Sequence, residues 1–203
     1  VDGRVGGFSG NRESAEIYVN YHEQPGWLWR FSMFGNNDSA GGGGYVSFVN
    51  PLGQTEVTAE LKRPYWEYTE AVLDDAARSR VGIIHTIKPS NTLTISGGPG
   101  LNRYDADGVD KVMNTASADL DIGYRLIDAQ PFLLVGYSLD GEYTLSQKKG
   151  FDALGGYTPL FPLRTREIHF LSLRGGWEFD DATYAEGMAG WGVDRFGGNG
   201  PAF

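Results

Sequence analysis

The chain contains no cysteine, which excludes disulfides and thiolate metal centres. Histidine is scarce. His22, His85 and His169 are the only three, they fall on separate segments, and they have no metal-ligand spacing. Each reads as a lumen or loop residue, and His85 shares parity with Val81, Ile83 and Ile87, which sets it near a rim. Positive charge is short as well: 17 Lys and Arg stand against 26 Asp and Glu, a net charge of -9. That balance argues against nucleic acid as a partner and suits a cationic or neutral one. Nowhere does the chain reach the ~18 consecutive apolar residues of a membrane-spanning helix. This leaves a crossing by strands open, because barrel strands alternate and keep the average hydropathy close to that of a soluble chain.

Catalytic signatures are missing too. There is no nucleophile elbow. The run Gly41 to Gly44 lacks the lysine of a phosphate loop, precedes a strand, and reads as a flexible loop. Asp74-Asp75 and Asp180-Asp181 read as solvated turn formers rather than an acid-base pair. The expectation is a protein that is not an enzyme and needs no cofactor.

What the chain has is alternation. In "ASADLDIGYRLIDAQPFLLVGYSLDGEYTLS", residues 116 to 146, Ser117, Asp119, Asp121, Gly123 and Arg125 take one parity and Ala118, Leu120, Ile122, Tyr124 and Leu126 the other. Successive strand side chains face opposite sides, so one face is wet and the other apolar. After the turn at Asp128-Ala129-Gln130-Pro131, the apolar face resumes as Leu133, Val135, Tyr137 and Leu139. Strands of this length exceed the ~5 to 6 residues typical of globular sheets, whereas a strand tilted across a bilayer needs ~9 to 11. The 30 glycines disfavour helices and suit turns and closely packed strands.

Connections alternate in length. Short ones fall at Gln24-Pro25-Gly26, Asn50 to Gly53, Lys88 to Asn91, Asp128 to Gln130 and Asp180 to Ala182. Longer ones fall at 35–44, 74–78, 100–111, 148–162 and 197–200. An up-and-down antiparallel meander with short turns at one membrane rim and long loops at the other produces this rhythm. Strands are expected at 14–22, 27–35, 44–50, 54–73, 78–87, 92–99, 112–127, 131–147, 164–179 and 183–195, with a further segment near 3–9. Pro64 cannot donate to a ladder, so 54–73 reads as one long strand kinked at a one-residue bulge that returns Trp66 and Tyr68 to the apolar side. The fold class is all-β: an up-and-down antiparallel transmembrane β-barrel forming a single domain over 1–203. The ~11 strands and a final start at Pro201-Ala202-Phe203 make it an incomplete barrel, since bacterial barrels close with even numbers. The start at Val1 reads as that of a mature or excised piece.

Parity also assigns the lumen. Glu16, Glu56, Glu60, Glu67, Asp119, Asp121, Asp140, Glu142, Glu178 and Glu186 face inward, partly balanced by Arg30, Lys62, Arg78, Arg80, Arg125 and Arg174. Lys or Arg at the lipid midplane costs ~2 to 4 kcal/mol, so the faces are not interchangeable. Trp27, Trp29, Trp66, Tyr68 and Trp177 cluster near strand ends, as the aromatics of a membrane-interface girdle do.

Pro64-Tyr65-Trp66-Glu67-Tyr68, the strand entry Arg78-Ser79-Arg80, and Gly100-Leu101-Asn102-Arg103-Tyr104 together resemble the C-terminal outer-membrane barrel of the Pel exopolysaccharide export family. The resemblance implies an outer-membrane channel for a partly deacetylated, cationic amino-sugar polymer, surrounded by outer-membrane lipids and met at its inner rim by a periplasmic or lipoprotein export partner. The alternatives are a porin of other specificity, a membrane enzyme barrel, or a soluble carbohydrate-binding β-sandwich.

Overall fold

The computed structural model describes residues 2–5, 8–11, 15–21, 26–35, 40–65, 76–106, 109–151, 156–160, 165–180 and 183–202. Their regular structure is entirely β: β1 (Asp2–Val5), β2 (Phe8–Asn11), β3 (Ala15–Tyr21), β4 (Trp27–Gly35), β5 (Ala40–Asn50), β6 (Gly53–Pro64), β7 (Ala77–Ile87), β8 (Leu93–Ala106), β9 (Val109–Ile127), β10 (Phe132–Gln147), β11 (Lys149–Phe151), β12 (Tyr157–Pro159), β13 (Arg166–Asp180), β14 (Thr183–Asp194) and β15 (Asn199–Ala202). Eleven strands form one sheet in the order β15-β14-β13-β10-β9-β8-β7-β6-β5-β4-β3, every neighbouring pair antiparallel. This is an up-and-down meander whose two edges, β3 and β15, are not paired with each other among the described residues. β1–β2 and β11–β12 are separate hairpins.

The strands match the alternating pattern closely, with three corrections. Gly41 to Gly44 is no loop: it lies inside β5, laddered to β4 on one side and β6 on the other. The reason is close approach. A Cβ on Gly44 would sit 2.0 Å from the Arg30 carbonyl oxygen, and one on Gly41 would sit 2.1 Å from that of Leu61. Residues 100–106 likewise extend β8 instead of forming an open connection, so β8 and β9 meet across residues 107 and 108. The expected segment near 3–9 is a hairpin outside the main sheet, and the eleventh strand is β15.

A bulge interrupts β6 before the proline rather than at it. Glu60 pairs with Arg80 and Arg63 with Arg78, so Leu61 and Lys62 together oppose Ser79 alone. Lys62 adopts a left-handed backbone (φ 55°), and its N–H donates to the Ser79 hydroxyl at 3.1 Å. The strand ends at Pro64, after which the Tyr65 N–H still donates to the Ala76 carbonyl at 2.8 Å. Residues 66–73 of the expected long strand, with Trp66, Glu67, Tyr68 and the Asp74-Asp75 pair beyond it, lie outside the described residues. Lys62, assigned inward by parity, is carried out of that series, and Arg63 takes its place beside Glu60.

Directly paired residues share a face, so the register fixes both faces. One carries Ile17, Val19, Phe31, Met33, Val57, Val81, Ile83, Leu101, Leu120, Ile122, Leu171 and Leu173. These side chains are not packed beneath a second layer: Ile17 and Met33 are each 75% exposed and Leu171 59%. The apolar run on β9 goes from Leu126 through Tyr124, Ile122, Leu120 and Ala118 to Ala116, eleven residues in length, which matches the ~9 to 11 of a tilted membrane crossing. Charge on this face begins only beside the long connections, with Arg103 on β8 and Glu167 on β13. The small buried core, Tyr65, Ala76, Tyr104, Val112 and Met113, lies at that same end.

Candidate functional site on the polar face of the sheet

The opposite face gathers the charge. One contact reaches across four strands: Arg63 on β6 donates to Glu16 on β3 at 2.9 Å, with its guanidinium 5.3 Å from the Phe34 ring centre of β4 on the way. Those strands are three spacings of ~4.8 Å apart, a span that two long side chains lying along the polar face cover between them. Gly41 and Gly43, on the polar face of β5 between them, keep that path clear of side chains.

Toward the long connections the polar face is laced together. Glu60 is held by Arg63 (2.5 Å) and, at longer range, by Arg78 (3.9 Å). The Arg78 guanidinium lies 5.5 Å from the Tyr65 ring centre, and that ring meets Tyr104 edge-on at 5.0 Å. The Tyr104 hydroxyl donates to Glu142 Oε1 at 2.6 Å, and the same oxygen accepts from the Thr115 hydroxyl (2.6 Å) and the Asn102 amide (3.1 Å). Arg166 faces the other oxygen at 3.8 Å and reaches Asp140 at 3.1 Å. Glu142 is only 4% exposed. It is thus a structural hub rather than a carboxylate offered to solute.

In the middle of the sheet Arg80 on β7 reaches Asp119 on β9 at 3.1 Å. It crosses β8 where Gly100 sits, and a Cβ there would come within 2.5 Å of the Ser117 hydroxyl and 3.6 Å of Arg80 Nε. Toward the short turns, Arg174 pairs with Glu186, which also accepts from Tyr184, and Arg125 pairs with Asp128 in the turn itself. These groups border a cleft of about 390 Å³ with Gln130, Phe132 and Leu134.

Three expected lumen acids have no ion pair among the described residues: Glu56, Asp121 and Glu178. Glu56 accepts only from the Thr58 hydroxyl, at 3.3 Å. All three lie in the half of the polar face toward the short turns, in register with Ser47, Ser138 and Tyr184 respectively. In the same half Arg30 has no carboxylate partner among the described residues. Its guanidinium lies 4.5 Å from the Tyr18 ring centre and 5.1 Å from that of Tyr45, and its Nε donates to Asn20 at 2.9 Å. The Tyr18 side chain is 54% exposed.

Of the expected interface aromatics, Trp27 and Trp29 stand on the apolar face beside a short turn. Trp27 stacks on Phe48 at 4.9 Å and on Trp29 at 6.2 Å between ring centres. Trp177 is on the same face beside the 180–183 turn. His85 and His169 are corrections, since both belong to the apolar face rather than to lumen or loop. His85 Nδ1 lies 2.9 Å from the Thr55 hydroxyl, and His169 Nδ1 lies 2.7 Å from the Tyr137 hydroxyl with Nε2 3.1 Å from Glu167. These hydroxyl partners are what let imidazoles stand among Ile and Leu side chains. His22 lies outside the described residues.

Sequence reasoning missed Arg63, Arg166, Asn102, Tyr104 and Thr115. Arg166 shares its parity with Arg174 and was within reach of the same rule. Arg63 was hidden by the bulge, Asn102 and Tyr104 depended on a β8 longer than its turn residues suggested, and Thr115, inside the expected strand 112–127, shares the parity of Ser117 and Asp119 and was within reach of the same rule as Arg166. Among the described residues no three His, Asp or Glu side chains are placed to hold a metal. No helix is long and apolar enough to cross a membrane, which says nothing of crossing by strands. No family model, curated protein or solved structure matches the chain.

Proposed function

We propose that this sheet is part of the wall of an outer-membrane channel that exports a secreted polysaccharide, a cationic amino-sugar polymer, through a hydrated lumen lined by the polar face. The observation that carries the proposal is the division of the faces. Large apolar side chains stand exposed along one face, while the charged residues of the same strand stretches are on the other. A soluble sandwich would cover such an apolar face with a second layer about 10 Å away. Among the described residues there is no such layer.

The choice of solute follows from charge. Most polar-face acids are neutralised by an arginine, whereas Glu56, Asp121 and Glu178 are not, and confined carboxylates favour cations. Tyr18, with Arg30 and Asn20 beside it, offers a ring surface and hydrogen-bond donors to a pyranose. The resemblance of the Pro64–Tyr68, Arg78–Arg80 and Gly100–Tyr104 patches to the Pel export family supports a polymer rather than a small ion as cargo. In this reading no bond is made or broken.

The test is the reversal potential of the full-length protein in planar bilayers under a salt gradient. Cation selectivity that weakens when Glu56→Gln, Asp121→Asn and Glu178→Gln are combined is the expected result. Anion selectivity, or selectivity untouched by the triple substitution, would refute the charge assignment. A protein that does not insert at all would return the argument to a soluble sheet.

A further inference from the structure

Three strands, β10, β13 and β14, put large apolar side chains on the polar face. In the row Arg125, Leu134, Arg174 and Met188, in register across β9, β10, β13 and β14, two apolar side chains stand among two arginines. The next row toward the short turns carries Phe132 beside Gly176 and Glu186, and beyond it Tyr184 stands opposite Glu178. Toward the long connections Phe170 is in register with Ser138 and, through it, with Asp121. From the Phe170 row to the Gly176 row is six residues of β13, about 20 Å at the usual strand rise.

The rings lean onto glycines. A Cβ on Gly176 would collide with the Phe132 ring and come within 2.6 Å of the Tyr184 hydroxyl. One on Gly190 would collide with the Phe170 ring, whose Cδ2 lies 3.4 Å from a Cβ placed on Gly192. A ring laid across a glycine covers the backbone with one side and turns the other outward. Phe132 and Phe170 are accordingly half-buried, while Tyr184 and Met188 are about half exposed. Between the Phe170 and Leu134 rows, Gly123, Gly136 and Gly190 leave Ser172 as the only side chain across β9 to β14. The floor is therefore low, and a cleft of about 310 Å³ opens there, bordered by Asp121, Ser138, Phe170 and Met188. It meets the cleft toward the short turns at Leu134, which lines both.

Charge narrows what lies along this surface. Arg174 and Arg125 are engaged by Glu186 and Asp128. Asp121 and Glu178, at the two ends of the apolar series, have no ion pair among the described residues. A wholly apolar cargo would gain nothing from those carboxylates, and a flexible polycation has no flat apolar surface to lay on the rings. A saccharide chain with free amines has both, since the C–H faces of pyranose rings are apolar and their hydroxyls can reach Ser138, Ser172 and Tyr184. We propose that Phe170, Leu134, Met188, Phe132 and Tyr184 form a binding track for an extended glycan bearing free amines, with Asp121 and Glu178 receiving ammonium groups at its ends. The inference deepens the export reading and rests on it for the choice of ligand.

The test is isothermal titration calorimetry of the full-length protein in lipid nanodiscs, which leave both rims open. Three probes are compared: a glucosamine hexamer, its N-acetylated and neutral counterpart, and a lysine hexamer that has the charge without the rings. Combining Phe132→Leu with Phe170→Leu keeps an apolar cover on the glycines and removes the flat rings. It should weaken both glycans about tenfold and leave the lysine peptide unchanged. Phe132→Tyr with Phe170→Tyr should bind as the parent does. Met188→Asn, at a half-exposed position where folding asks little of the side chain, should weaken both glycans in the same sense as the leucine pair. Combining Asp121→Asn with Glu178→Gln should weaken the glucosamine hexamer and the lysine peptide and spare the N-acetylated hexamer. Glycan binding that ignores the leucine pair and Met188→Asn, or that falls equally with the leucine and tyrosine pairs, overturns the proposal. A protein that conducts selectively but binds neither glycan overturns the track alone. One that binds both glycans through the rings yet inserts without conducting defeats the channel reading and leaves the track standing.

Discussion

Replacing Glu142 by leucine tests whether the polar face is held by its hub. Three donors converge on Oε1, from Tyr104 and Thr115 at 2.6 Å and from Asn102 at 3.1 Å, in a site where Glu142, Asn102, Thr115 and Tyr104 are all buried. Leucine fills a similar volume and accepts nothing. Each buried donor left without a partner costs ~1 to 3 kcal/mol, and breaking a buried charged network by removing one member costs ~3 to 5 kcal/mol in all. The expected loss for Glu142→Leu is therefore about 4 kcal/mol, close to a thousandfold in the folding equilibrium. Glu142→Gln keeps the amide oxygen as acceptor and gives up mainly the charge, so it should lose ~1 to 2 kcal/mol. Glu178→Leu, exposed and without an ion pair among the described residues, should stay within ~0.5 kcal/mol of the parent. The assay is urea-induced unfolding of the vesicle-inserted protein followed by tryptophan fluorescence. Tyr104→Phe alone and in the Glu142→Leu background completes a double-mutant cycle, and the two losses should be far from additive. If Glu142→Leu costs no more than Glu178→Leu, or the cycle shows additivity, the hub is not what holds this region.

Two contrasts test the geometry elsewhere. Leu171→Arg places a guanidinium on the apolar face and should cost ~2 to 4 kcal/mol if that face meets hydrocarbon, whereas Ser172→Arg, one residue on and on the polar face, should be tolerated; equal effects in the unfolding assay would refute the face assignment. Gly44→Ala drives a Cβ to within 2.0 Å of the Arg30 carbonyl oxygen, while a Cβ on Gly187 meets nothing within 4 Å. The first should cost ~1 to 3 kcal/mol or more through forced strand separation and the second should be neutral, read as the urea midpoint of each variant.

Strands were legible because the physics that makes them is local. Alternation along Ser117 to Leu126 and Leu133 to Leu139 needs only the two-residue period of an extended chain, and the turn at Asp128 to Pro131 needs only its residue types. What failed was glycine. In Gly41 to Gly44 and at Gly100 composition argues for a loop, but the residues are small because neighbouring backbones and crossing side chains occupy the space where a Cβ would lie. That information is held in β4, β6, β7 and β9 and is absent from the glycine segments themselves. Likewise parity gave the wrong cation at the end of β6, because one left-handed residue at Lys62 transfers the inward position to Arg63.

The same reasoning changes the meaning of the acidic composition. A net charge of -9 suggests a uniformly acidic lumen, but charge counted along the sheet is uneven. Near the long connections the acids Glu16, Glu60, Asp140 and Glu142 each face an arginine: Arg63 reaches Glu16 across two strands and Glu60 along its own, while Arg78 and Arg166 reach Glu60, Asp140 and Glu142 across the ladder. Such contacts tie neighbouring strands together and neutralise the charge of that end. Toward the short turns Glu56, Asp121 and Glu178 have no ion pair among the described residues, so the uncompensated negative charge of the polar face is concentrated there. In a channel oriented with short turns toward the periplasm, a cationic chain would meet the uncompensated carboxylates on entry and the neutralised region on exit. Attraction would then assist capture without holding the polymer at the outer mouth, as conduction through a selective pore requires.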